Sequence, residues 1–139
     1  MSIATGSSYV ADTHIVIWVM SKPSLLSPAS LSAVQAAESS GDPIYVSAIT
    51  IVELRYLVEK GKLTEADYQE CLKRIVDPAN VLTIAPLDLR IADMLSQIPR
   101  AVVPDMPDRI IAATGLALGL PLITADHKIR SLTNITTIW

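Results

Sequence analysis

Asp12, Glu53, Asp108 and Asp126 are four acids that an α/β chain can bring to one place, and converging carboxylates without a basic partner call for a cation. The densest stretch runs from Val103 to Lys128, with Asp105 and Asp108 at a helix start and Asp126 after a short apolar run. Asp supplies a capping oxygen and Pro107 fits a first turn. Ile110, Ile111, Thr114, Ala117 and Leu118 then recur at helical spacing as far as Gly119. Leu120 to Ala125 is too short for another helix and reads as a buried strand, which puts Asp126 at its carboxyl end. In an open parallel sheet, ligands bind in the crevice outside the carboxyl ends of the strands. Oxygen-only donors, with no Cys or His among them, select a hard ion such as Mg²⁺ or Mn²⁺ there.

The elements that must position these acids are read along the chain. Met1 to Ser8 is small, polar and expected to be flexible, and residues 9–139 form a single domain. Tyr9 to Ala11 is a first strand with Asp12 at its end, and Ile15, Val16, Val19 and Met20 mark a short buried helix from Thr13. Ser27 before Pro28 starts an Ala-rich helix that runs to Gly41. Pro43 to Ser47 is a second strand, Thr50 to Lys60 a helix stopped by Gly61, and Thr64 begins another that ends at Pro78. Val81 to Ala85 is a third strand, Asp88 to Ile98 a helix, Leu120 to Ala125 the fourth strand, and Ile135 to Trp139 an edge strand. Strands alternating with helices predict an α/β domain in three layers, a central, mostly parallel sheet of four to five strands flanked by helices.

Composition sets the bounds. A chain of 139 residues, half of them hydrophobic and none of them Phe, predicts one well-packed core of Ile, Leu, Val and Ala. Cys71 is the one cysteine and cannot form an internal disulfide; with no signal-like segment at the start, the expected compartment is the cytoplasm. No apolar run reaches membrane-spanning length, so no membrane partner is expected. A net charge of −3 argues against nucleic-acid binding by bulk electrostatics and leaves local Arg and Lys or a bound metal as the means.

Each acid also has a local reading. Asp12 can cap the helix from Thr13, Asp105 is most simply a cap, and Thr50-Ile-Val-Glu53 matches a capping box in which Glu53 only closes a helix end. Asp108 sits one turn into its helix, where the helix dipole favours an anion. Arg109 and Lys128 flank the acids and suit either a phosphate or a salt bridge, while His14 and His127 read as solvated or hydrogen-bonded loop residues. Acids after strand one, after strand four and at two helix starts carry the metal reading together.

Asp12-Thr-His14 with Trp18, Ser47-Ala-Ile-Thr50 with Glu53, Gly61-Lys-Leu63, Asp105-Met-Pro-Asp108-Arg109 and Leu122-Ile-Thr-Ala-Asp126 stand in an order that resembles a PIN domain. The toxins of bacterial VapBC-type toxin-antitoxin pairs are the nearest resemblance. It implies that Asp12, Glu53, Asp108 and Asp126 hold Mg²⁺ or Mn²⁺ for ribonuclease chemistry, with Thr13, Asp105 and Thr124 as auxiliary groups. It implies also a homodimer and an antitoxin whose tail enters the acidic groove. The alternative is a catalytically inactive PIN-like module that binds protein or RNA, for which the acids serve as caps and contacts. A Mg²⁺-dependent phosphatase would want Asp-x-Asp after strand one, which Asp12-Thr-His14 lacks, and no phosphate-binding glycine loop is present.

Overall fold

The computed structural model describes residues 6–139. Residues 1–5 of the expected flexible segment lie outside the described residues; at Ser7 the backbone N–H donates to an Asp42 carboxylate oxygen at 3.2 Å. The elements run β1 (Tyr9–Ala11), α1 (Thr13–Ser21), α2 (Pro28–Ser40), β2 (Ile44–Ser47), α3 (Ala48–Glu59), α4 (Glu65–Val76), β3 (Leu82–Ala85), α5 (Leu89–Asp93), α6 (Met106–Leu118), β4 (Leu122–Ile123), α7 (His127–Arg130) and β5 (Thr137–Ile138). No described helix is long and apolar enough to cross a membrane.

The five strands form one sheet in the order β3-β2-β1-β4-β5, every pair parallel. The chain leaves β1 toward β2 and β3, then returns to add β4 and β5 on the other side. That reversal puts a topological switch point between β1 and β4, where an open sheet parts at its carboxyl edge. Alternate strand residues serve opposite faces. Ala11, Ile44, Val46, Leu82 and Ile123 pack with residues of α1 to α4, whereas Val10 and Leu122 pack with α5, α6 and α7. Burial on both faces explains why the strands are nearly all apolar.

The edge strand β5 is shorter than the expected Ile135 to Trp139, and three further boundaries differ from the sequence expectation for a local reason. α3 starts at Ala48, two residues early, because the Ser47 hydroxyl accepts the Ile49 N–H at 3.3 Å and caps it. The helix expected over Asp88 to Ile98 gives way after Asp93 to a 3₁₀ turn, Met94–Gln97, with the Leu95 and Ile98 carbonyls bound by the Arg109 side chain. β4 is only two residues long, because Leu120 still closes the end of α6 onto Gly115 and the Thr124 hydroxyl is engaged with side chains of the site.

Gly115 lies buried in the middle of α6, and a methyl there would meet the Leu120 carbonyl oxygen at 3.5 Å and the Leu122 Cβ at 3.7 Å, ordinary contact distances. Glycine costs a helix interior about 0.5–1 kcal/mol relative to alanine. Gly115→Ala is therefore expected to stabilise the fold by that order, as a higher midpoint in urea denaturation; a lower midpoint would mean that the space beside Leu120 and Leu122 does not accommodate the methyl.

Candidate active site

The carboxyl ends of β1 and β4 and the amino ends of α1, α6 and α7 surround one cavity of about 460 Å³, lined by Asp12, Glu53, Asp105, Asp108 and Asp126 among others. All four acids read from the sequence as metal ligands are thus brought to one place. Asp12 leaves β1 directly into α1 and is 6% exposed. One of its oxygens accepts the Thr13 N–H at 2.7 Å; the other accepts the Thr124 hydroxyl at 2.7 Å. The Thr124 oxygen in turn accepts the Asp126 N–H at 3.0 Å, so one buried hydroxyl ties the ends of β1 and β4 together. Asp126 caps α7, taking the Lys128 and Ile129 N–H groups at 2.8 and 3.1 Å.

Glu53 is held differently from a capping-box glutamate. The Thr13 hydroxyl donates to its Oε1 at 2.6 Å, and the buried Thr50 hydroxyl lies 2.9 Å from Thr13. Because the Thr13 proton goes to the carboxylate, Thr50 is the donor to Thr13. Thr50, read from the sequence as a helix-start residue, is thus part of the support for Glu53. Asp105 caps α6, accepting the Asp108 N–H at 3.1 Å, while the Asp108 carboxylate receives no hydrogen bond from another described side chain or amide.

His14, expected as a solvated or hydrogen-bonded loop residue, is in the first turn of α1, exposed and on the cavity wall beside Trp18, whose ring centroid is 5.9 Å away. Its position two residues after Asp12 was the available signal. Arg109 and Lys128 do not line the cavity. The Arg109 guanidinium points the other way, donating to the Leu95 carbonyl at 2.8 Å and to the Ile98 carbonyl at 2.9 and 3.2 Å. Lys128 is exposed and meets the site through its backbone N–H. His127 is likewise exposed.

Burial and mutual repulsion set the electrostatics. Desolvation pushes the Asp108 carboxyl up from 3.8 to about 7, with Asp12, Asp105, Asp126 and Glu53 adding to the shift. Burial also raises Asp12 and Glu53, against the lowering pull of the Thr124 and Thr13 hydroxyls. Among the described residues no three Asp, Glu, His or Cys side chains form a ready-made metal cage. Like charges keep apart when nothing offsets them, and Asp12, Glu53, Asp105 and Asp126 rest on hydroxyl or amide donors. The donor chemistry nevertheless fits a hard divalent cation: the candidate ligands are all oxygens, and burial among like charges takes Asp108 out of its normal range.

A pH dependence follows. Between 3.8 and about 7 the native Asp108 holds a proton that the unfolded chain has released, so stability falls as pH rises through that window, with Asp12 and Glu53 acting in the same direction. Thermal melts in chelator are expected to show the melting temperature falling from about pH 5 to about pH 8, and added Mn²⁺ is expected to restore most at the upper end. A flat profile, or the same Mn²⁺ effect at every pH, would contradict this placement of charge.

A family model described as PIN domain matches residues 9–134. Ribonuclease VapC22 from Mycobacterium tuberculosis (strain ATCC 25618 / H37Rv) is 28% identical over 126 residues, covering 90% of this chain and 92% of that protein. Among solved structures, VapBC2 from Rickettsia felis bound to a DNA fragment from their promoter superposes with a TM-score of 0.70 at 18% identity, covering 94% of this chain and 96% of that one. VapBC-5 from Mycobacterium tuberculosis, described as a member of the VapBC family of toxin-antitoxin systems, gives 0.57 at 19% identity over 95% of this chain and 98% of that one. At these identities the two structures speak for the fold.

Proposed function

The chain belongs to the PIN domain family, and from that premise we propose that it is a divalent-metal-dependent endoribonuclease acting as the toxin of a toxin-antitoxin pair. The observation that carries the proposal is the gathering of Asp12, Glu53, Asp108 and Asp126 on one cavity at the switch point of a parallel sheet. Similarity to a relative named as a ribonuclease over nine-tenths of the chain supports RNA as substrate. Mg²⁺ or Mn²⁺ is the proposed ion, held by those four residues with Asp105, Thr13 and Thr124 in support. When bound, such an ion supplies Lewis acidity toward phosphate and makes water a nucleophile near neutral pH.

The chain's own residues orient the acids. Thr124 and the Thr13 N–H hold Asp12 by both oxygens, and the Thr50–Thr13 pair aims Glu53. Asp108 and Asp105 stand at the amino end of α6, whose dipole favours the anionic form. No side-chain nucleophile is needed for hydrolysis: water attacks phosphorus, one P–O bond breaks, and the leaving oxygen takes up a proton. An antitoxin segment that offers a cation, such as Arg, to the acidic cavity is the proposed inhibitor, and a homodimer the proposed assembly.

One observation favours a second reading. Asp12, Asp105 and Asp126 act as helix caps, which is what a non-catalytic binding module would require of them. Cleavage separates the two. Purified protein incubated with RNA is expected to produce fragments with Mg²⁺ or Mn²⁺ and none with chelator; intact RNA under every condition would leave the binding module.

A further inference from the structure

Tyr56 is the one Trp or Tyr among the described residues with more than half of its surface exposed, at 58%. Val52 and Met106 beside it are exposed as well, and a contiguous exposed apolar patch, unlike a single exposed ring, marks a surface that something covers in use. The ring lines a second cavity of about 330 Å³, mostly apolar, whose wall also includes Val52, Met106 and Lys60. This cavity adjoins the acids directly, because Thr13, His14 and Glu53 line both. Glu53 and Tyr56 lie on one face of α3 and Lys60, the residue that ends it, follows at the same helical spacing, so carboxylate, ring and ammonium succeed one another over about 10 Å.

We propose that this cavity is a nucleotide subsite, in which the base next to the scissile phosphate stacks on Tyr56 between Val52 and Met106 while Lys60 holds the following phosphate. The inference rests on the ribonuclease reading above. An aromatic ring followed by a cation along a groove is the arrangement with which proteins hold single strands without regard to sequence. A volume of about 330 Å³ fits one nucleoside, and its wall is shared with the place where the phosphodiester must sit. A chain with net charge −3 has no bulk attraction for RNA, so stacking together with a single well-placed lysine supplies what electrostatics elsewhere does not. A protein segment laid in the same groove is the competing occupant.

The test is steady-state cleavage of mixed-sequence single-stranded RNA by wild type, Tyr56→Ala, Tyr56→Phe and Lys60→Ala. Tyr56→Ala is expected to raise KM about tenfold with kcat kept, the loss typical of one stacking contact, and Tyr56→Phe to match the wild type. Lys60→Ala is expected to raise KM less and to flatten its salt dependence by about one phosphate contact. Both positions are exposed, and thermal melts confirm folding of each variant. A wild-type KM in folded Tyr56→Ala overturns the subsite while the enzyme remains a ribonuclease. Unchanged kinetics together with loss of a co-purifying protein partner gives the groove to that partner and also overturns it. Failure of the wild type to cleave any RNA with metal removes the ribonuclease reading itself.

Discussion

Asp108→Asn is expected to abolish RNA cleavage and, in the same molecule, to stabilise the metal-free protein at alkaline pH. Loss of groups that merely support a metal ligand costs about 10–100-fold, so loss of a ligand should cost more than about a hundredfold. The gain in stability has a separate origin. The carboxyl is pushed from 3.8 to about 7 by burial and by its acidic neighbours, a penalty that Asn does not carry. Taken at face value the shift is about 4 kcal/mol; Asp108 is only half-buried, and solvent screening reduces the expected gain to about 1–2 kcal/mol. The amide sacrifices no side-chain hydrogen bond, since the Asp108 carboxylate makes none in the described residues. Urea denaturation in chelator at about pH 8, beside RNA cleavage with Mn²⁺, checks both halves. A variant that loses activity and stability together would show that Asp108 is structural.

Arg109→Ala carries the second largest expectation. The guanidinium donates to carbonyls of Leu95 and Ile98, and Ile98 is fully buried. Removing a charged donor from buried acceptors costs about 2–3 kcal/mol. The fold is therefore expected to lose stability of that order, and activity to fall through displaced Asp108 at the start of α6. A direct phosphate contact would give the opposite pattern, with unchanged stability and a raised KM that is sensitive to salt. Measuring unfolding and KM of the same preparation decides between them, and Arg109→Lys is expected to recover little, because one ammonium cannot reproduce the guanidinium fork.

Local chemistry was readable from the sequence because it acts over a few residues. Ser27, Thr64, Asp88 and Asp105 each cap the helix that their sequence context announces. Apolar runs bounded by Asp, Pro and Gly locate all five strands, and from those the edge at which the acids meet. What the sequence concealed is held by contacts between distant positions. Thr13 to Glu53 spans 40 residues and Thr124 to Asp12 spans 112, and neither hydrogen bond has a local pattern. Thr50 and Glu53 stand at capping-box spacing, yet the cap belongs to Ser47 and the two side chains turn toward Thr13 instead. Arg109 beside the acids suggests phosphate until the backbone carbonyls that claim it are in place. The exposure of Tyr56 likewise depends on which neighbouring elements leave its face of α3 uncovered.

The most direct measurement is a calorimetric titration of Mn²⁺ into folded, metal-free protein, wild type beside Glu53→Gln. Gln keeps the size of Glu and can still accept the Thr13 hydroxyl, so packing is preserved while a charged oxygen ligand is lost. Saturable binding with proton release in the wild type, and marked weakening in Glu53→Gln, is the predicted result. Equal binding by the two proteins, or none by either, would contradict a cation site built from these carboxylates.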